Sequence, residues 1–288
     1  MRATAAPRPH LAQRDFEGIP VLTDDALADA LGVRIAFSGR AGGVSAPPYD
    51  GLNLGSHVGD RIEDVRANRA ALLGALGAGE ASLVVPNQVH GTDLVTIASA
   101  DARSVDEAAA AAAEGADGIV VSAPGVAALL CFADCVPVIV VSPTGTFAVA
   151  HAGWRGAVAG IAGKALAEIA RLDAAAAGEG EAFAARIARE SNAYIGPCIR
   201  RECFEVGPDV RDRFVLAFGG ACAFGERNVD LPAAVAVDLV RAGADPNRIC
   251  DAGACTVCAP DVYFSYRASG GTCGRHGAIA FRRKDVGA

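Results

Sequence analysis

Lysine is almost missing from this chain, with Lys164 and Lys284 the only two, so its positive charge is carried by arginine. Phosphate or carboxylate contacts would therefore use guanidinium forks, although a general bias toward Ala, Gly and Arg accounts for most of the shortage. A basic surface is missing too. The formal net charge of −7 excludes a nucleic-acid binder that relies on broad positive potential. Histidine is scarce, with five in 288 residues (His10, His57, His90, His151 and His276). There is no Gly-x-Ser-x-Gly elbow for a serine nucleophile, no Lys-Ser/Thr ending of a phosphate loop and no dinucleotide fingerprint. No apolar run reaches membrane-spanning length, and Met1 to Phe16 holds no apolar stretch followed by a cleavage site. No solenoid repeat or Pro/Ser-rich linker divides the chain. Nine cysteines, an odd number in a chain too large to need stapling, read as reduced thiols. A cytoplasmic protein is the expectation.

What is present is apolar: 52% of residues are hydrophobic and 20% charged, ample for a large core. Helical signals alternate with strand signals, which predicts an α/β fold: a single compact layered domain, 1–288, with a mixed β-sheet core flanked by helices and a flexible N-terminal 1–16. Helices are expected over 24–31, 156–172, 208–218 and 231–242, the last between Asp230 as N-cap and Gly243 as stop. Another follows Asp60, which with Glu63 has the spacing of a capping box ahead of the stripe Ile62, Val65, Leu72, Leu73 and Leu76. Strands are expected over 34–38, 94–98, 118–121, 137–141, 193–195, 262–266 and 278–281. The alanine-rich stretches 108–113 and 174–188 read as surface helix without chemistry.

Three residues stand at the ends of further apolar runs: His90 after 83–85, Cys135 after 126–132 and His151 after 146–150. Any one of them alone reads better as a core residue than as a ligand. Their common placement counts for more, because loops at the ends of doubly buried strands carry the polar groups that the interior excludes. Two imidazoles and a thiolate suit Zn²⁺, and three protein ligands leave a fourth tetrahedral position open, as in catalytic sites.

Other segments carry weaker signals. Ser38-Gly39-Arg40-Ala41-Gly42-Gly43-Val44-Ser45 is a Gly-rich turn whose N–H groups and Arg40 could meet an anion, or simply a turn. Trp154 and Arg155 lie near a helix N-terminus, which favours anions. His57 sits in the polar loop Leu52 to Asp60 as a further ligand, an acid/base group or a brace. Cys255-Thr256-Val257-Cys258 is the only CxxC, a pattern that serves redox chemistry or half of a zinc site, but the other half is missing and it reads as structural.

Gln88-Val89-His90-Gly91, Ala133-Asp134-Cys135-Val136-Pro137 and His151-Ala152-Gly153-Trp154-Arg155-Gly156 together resemble the laccase-domain purine nucleoside phosphorylase family. That family has also been labelled polyphenol oxidoreductase laccase and peptidoglycan editing factor. The likeness extends through Arg40 to Ser45, Leu52 to Asp60, Ile195 to Ile199, Phe204 to Val206 and Phe264 to Arg267, and spans about residues 34–283. It implies a compact α/β fold and one Zn²⁺ on His90, Cys135 and His151, with copper as the alternative metal. It further implies phosphorolysis of adenosine to adenine and ribose 1-phosphate, of inosine, guanosine and methylthioadenosine likewise, and deamination of adenosine. Two departures are His276, where an apolar residue is expected, and the added thiol of Cys258.

On this basis the expected catalytic residues are Cys135, Asp134 as proton relay, and His151, with Arg40, Asn53, Gln88, Arg155 and Arg267 contacting purine nucleoside or phosphate. No nucleic-acid or membrane partner is expected. A copper polyphenol oxidase is disfavoured by counting, since a four-copper enzyme needs on the order of ten imidazoles. A cysteine-dependent amidase acting on peptidoglycan precursors, built on Cys135 and His151, is the serious rival. It leaves His90 without a role. A binding protein whose metal braces loops is the third option.

Overall fold

Strands that read as unbroken apolar runs, such as Val126–Phe132 (VAALLCF) and Val136–Val141 (VPVIVV), must be covered on both faces. The computed structural model, which describes residues 6–283, shows how. Two six-stranded sheets lie face to face. The first runs Ala12–Phe16, Ile19–Thr23, Val33–Ser38, His276–Arg282, Val126–Phe132, Ser82–Val84, antiparallel except at its last pair. The second runs Ile249–Asp251, Asn192–Ile195, Val136–Val141, Phe147–Ala152, Gly118–Val121, Leu94–Ile97, antiparallel in the middle and parallel at both edges.

Side-chain alternation sorts the strands into layers. Phe37, Leu130 and Phe132 of the first sheet meet Ile139, Phe147 and Val149 of the second in a shared core. Their neighbours turn outward: Leu129, Ile279 and Phe281 pack under Leu72 of the helix Ile62–Ala75, and Val138, Val140 and Ala150 under the helices Ile161–Ala177 and Leu231–Arg241. The mixed-sheet core flanked by helices is thus present, divided between two sheets. No helix among the described residues is long and apolar enough to cross a membrane.

Several local expectations need correction. The last part of the 1–16 segment, expected to be flexible, forms the strand Ala12–Phe16, paired with Ile19–Thr23 through Glu17 and Gly18, both at positive φ (54° and 84°) as a two-residue hairpin turn requires. Residues 1–5 of that segment lie outside the described residues. The capping box does not form, because Asp60 accepts instead from Ser45 Oγ at 2.6 Å and Asn53 Nδ2 at 2.8 Å, and Arg61 is the N-cap. The 156–172 helix is two helices, Trp154–Val158 and Ile161–Ala177, broken at Gly160, whose φ is 80°. Residues 262–266 are turns and irregular chain rather than a strand, the Val262 and Tyr263 N–H groups donating back to the Ala259 carbonyl at 3.0 Å. The alanine stretches are helical, the second broken at Gly178 to Gly180, but only partly surface, since Ala112, Ala174 and Ile187 are buried.

Candidate metal centre

The site forms where the chain crosses from one sheet to the other. Val126–Phe132 belongs to the first sheet and Val136–Val141 to the second, and the connection between them is Ala133-Asp134-Cys135. His151 stands beside Cys135 because it belongs to Phe147–Ala152, in register with Pro137. His90 arrives on the loop after Ser82–Val84. The donor atoms of His90, Cys135 and His151 all lie within 4.8 Å of one another, with Cys135 Sγ 3.9 Å from His90 Nε2. Ideal tetrahedral zinc bonds would put such a sulfur and nitrogen about 3.6 Å apart.

One residue that the sequence did not flag organises all of this. Asp117, fully buried just ahead of Gly118–Val121, accepts from the backbone N–H groups of His90 (2.9 Å) and Gly91 (2.6 Å) and from His151 Nδ1 at 2.7 Å. Its carbonyl accepts the His151 N–H at 2.7 Å. The carboxylate takes the bond from His151 Nδ1 and so turns Nε2 toward the cluster, the usual support for a metal-bound imidazole. It also secures His90 in the left-handed region at φ 62°, a conformation rare outside glycine. The only sequence signal for it is a carboxylate opening an otherwise apolar buried strand.

Electrostatics follow from these contacts. Burial pushes the Cys135 thiol up, but the adjacent His151 and His90 outweigh it and bring the thiol down to about 6. Burial works against charge on His151 too, and the Cys135 thiolate with Asp117 raises it to about 9. Burial alone would raise Asp117, and its bonds from His151 and Gly91 hold it below the usual carboxylate range. Gly153 leaves room for the cluster: a Cβ there would meet His90 Cδ2 at 2.7 Å and Cys135 Sγ at 3.3 Å. Donor chemistry, spacing, an Nε2 turned toward the cluster and a side-chain-free floor all suit one soft or borderline cation.

The cluster opens into a cavity of about 720 Å³. Of the other expected site residues, Asp134, Gln88 and Arg267 line it. Asp134, at φ 94°, accepts from Thr256 Oγ1 and the Arg267 N–H, each at 2.7 Å, and is the one carboxylate among the lining residues. Gln88 exchanges hydrogen bonds with the Cys131 backbone through both ends of its amide (2.9 and 2.8 Å). Arg40, Asn53 and Arg155 do not line the cavity. Arg40 is paired with Asp50 at 2.8 Å, Arg155 lies over the Trp154 ring, and Asn53 knits its own loop to Asp60 and the Arg275 N–H. In their place the fold brings Arg69, Arg275 and His57 to the wall. His57 comes from the polar loop already noted in the sequence, whereas Arg69 comes from a helix face and Arg275 from a loop.

Known proteins share this fold. The chain belongs to the family described as multi-copper polyphenol oxidoreductase laccase, whose model matches residues 34–283. Among curated relatives it is 33% identical over 260 residues to purine nucleoside phosphorylase YlmD of Geobacillus stearothermophilus, covering 85% of this chain and 89% of that one. It is 35% identical over 250 residues to adenosine deaminase RL5 of an unknown prokaryotic organism, covering 83% and 90%. The crystal structure of the Geobacillus protein superposes with a TM-score of 0.76 at 29% identity, covering 96% of this chain and all (100%) of that one.

Proposed function

We propose that this protein is a zinc-dependent purine nucleoside phosphorylase that also deaminates adenosine. The observation that carries the proposal is the His90, Cys135 and His151 cluster on the floor of a cavity walled by Arg69, Arg267 and Arg275. At about 720 Å³ the cavity has the volume of an ordinary small-molecule pocket, enough for a nucleoside with phosphate beside it. The names of the relatives, nucleoside phosphorylase and adenosine deaminase, support a nucleoside-processing role.

A cation held by the three donors supplies Lewis acidity at its open position. The chain's own residues do the rest. Arg69, Arg267 and Arg275 would hold phosphate by charge-assisted hydrogen bonds. In phosphorolysis the C1′–N9 bond breaks, a phosphate oxygen bonds C1′, and the departing purine takes the proton that the attacking phosphate gives up. Asp134 is assigned that transfer: each oxygen accepts one hydrogen bond and keeps a further lone pair. In deamination Asp134 would move a proton from water to the leaving ammonia. Inosine, guanosine and methylthioadenosine are the further substrates of this reading. A laccase reading fails on ligands, because only His90 and His151 of the five histidines stand in the cluster.

The lowered Cys135 thiol beside His151 also suits a nucleophile, which keeps the amidase reading as the alternative. Incubation with adenosine, followed by chromatography, separates the two. Adenine formed only when phosphate is present, together with loss of the zinc held at this cluster and of turnover in Cys135→Ala, is the expected result. Turnover of a peptidoglycan precursor that survives chelation, without adenine from adenosine, would put the amidase in its place.

A further inference from the structure

The CxxC turn finds its missing partner in the fold. Cys203 reaches it from the segment after Asn192–Ile195, with its Sγ 3.4 Å from that of Cys258. The sulfurs of Cys203, Cys255 and Cys258 all lie within 4.8 Å of one another, as a group separate from the His90 cluster. Metal–sulfur bonds of about 2.3 Å place thiolates about 4 Å apart in trigonal or tetrahedral geometry, inside that spread. We propose that Cys203, Cys255 and Cys258 form a second metal site, a trithiolate that takes one thiophilic d¹⁰ cation of the Zn²⁺ and Cu⁺ class.

Two further observations support it. The backbone N–H groups of Arg200, Cys258 and Val257 face the Cys255 sulfur. N–H groups converging on the first sulfur of the turn stabilise a thiolate ligand. Finally, Cys258 is exposed, which gives an ion a path of entry. A plain Cys203–Cys258 disulfide would use neither the third sulfur nor the N–H groups aimed at it.

The site would also secure the cavity. Thr256, inside the CxxC turn, donates to Asp134, and Phe204, next to Cys203, lines the wall. Arg267 Nη1 donates to the Cys203 carbonyl at 3.2 Å. A cation on the three sulfurs would clamp the segment carrying Phe204 to the turn that braces Asp134.

The test is Cd²⁺ titration of the full chain kept reduced, with bound metal counted by mass spectrometry and thiolate-to-metal charge transfer read in the ultraviolet. Wild type should take up about two equivalents, and Cys135→Ala should keep one with most of the absorbance. Cys258→Ser, at an exposed position, and Cys203→Ser should each keep the other equivalent and lose roughly half or more of the absorbance. A single equivalent in wild type, unchanged absorbance in both serine variants, or Cys203 and Cys258 joined in a disulfide in protein isolated with Cd²⁺ present would overturn the proposal.

Discussion

Asp117 does two jobs with one carboxylate: it orients His151 and holds the loop that presents His90. Asp117→Asn keeps the volume but replaces one acceptor oxygen with a donor, so the His151 tautomer and the His90 loop lose their common anchor. Metal affinity should fall about 10- to 100-fold, the range for support residues of this kind. Competition with a chromophoric chelator measures it, and affinity within about twofold of wild type would show that Asp117 does not govern the metal. At this scale the sequence disclosed the donors and hid their support. His90, Cys135 and His151 were visible because each follows an apolar run and carries a soft ligand. Asp117 was not, because a lone carboxylate before Gly118–Val121 looks like any strand boundary until His151 is seen beside it. Arg69 and Arg275 were hidden because only tertiary packing brings them to one wall.

Elements were legible where burial on both faces produced continuous apolar runs, as in Val126–Phe132 and Phe147–Ala152. They were misread where a local turn competes with the pattern. Gly160 at φ 80° divides an otherwise continuous helical stretch, and residues 262–266 have a strand's composition with their hydrogen bonds made locally. Nor does the order of strand signals say that the strands divide between two sheets. The N-cap Asp24 shows how one residue ties elements together. It accepts from Leu27 N–H (3.0 Å) at the start of the helix Asp25–Leu31, from Tyr194 Oη (2.8 Å) in the second sheet and from His10 N–H (3.0 Å). Asp24→Ala removes a cap and leaves the buried Tyr194 hydroxyl, which still accepts from Asn192, with no acceptor for its own proton, and should cost about 2–3 kcal/mol in urea unfolding. A loss below about 0.5 kcal/mol would show that those donors find other partners.

For the whole molecule, acid is the condition that tests the core most directly. His276 is fully buried at the start of His276–Arg282 and packs edge-on against Tyr263, the Pro197 carbonyl facing its ring without meeting hydrogen-bond geometry. Burial lowers it from the ordinary value of 6.5 to about 3. The unfolded chain therefore binds a proton between these values that the folded chain refuses, so this contribution to stability is complete above about 6.5 and is lost as pH falls toward 3. Between pH 7.5 and 4.5 His276 alone should cost about 2.5 kcal/mol. Urea midpoints of wild type and His276→Leu at the two pH values isolate it, since every other group is shared. An equal acid sensitivity in the two proteins would show that His276 does not titrate in this way.

The crossing Ala133-Asp134-Cys135 has one more consequence. Cys135 sits on the hinge between the two stacks, His151 belongs to one of them, and His90 comes from the other side and is tethered across the gap by Asp117. Neither sheet alone carries a full set of donors. Tight metal capture is therefore a property of the assembled sandwich alone, and uptake of the ion serves as a clock for the moment at which the halves meet.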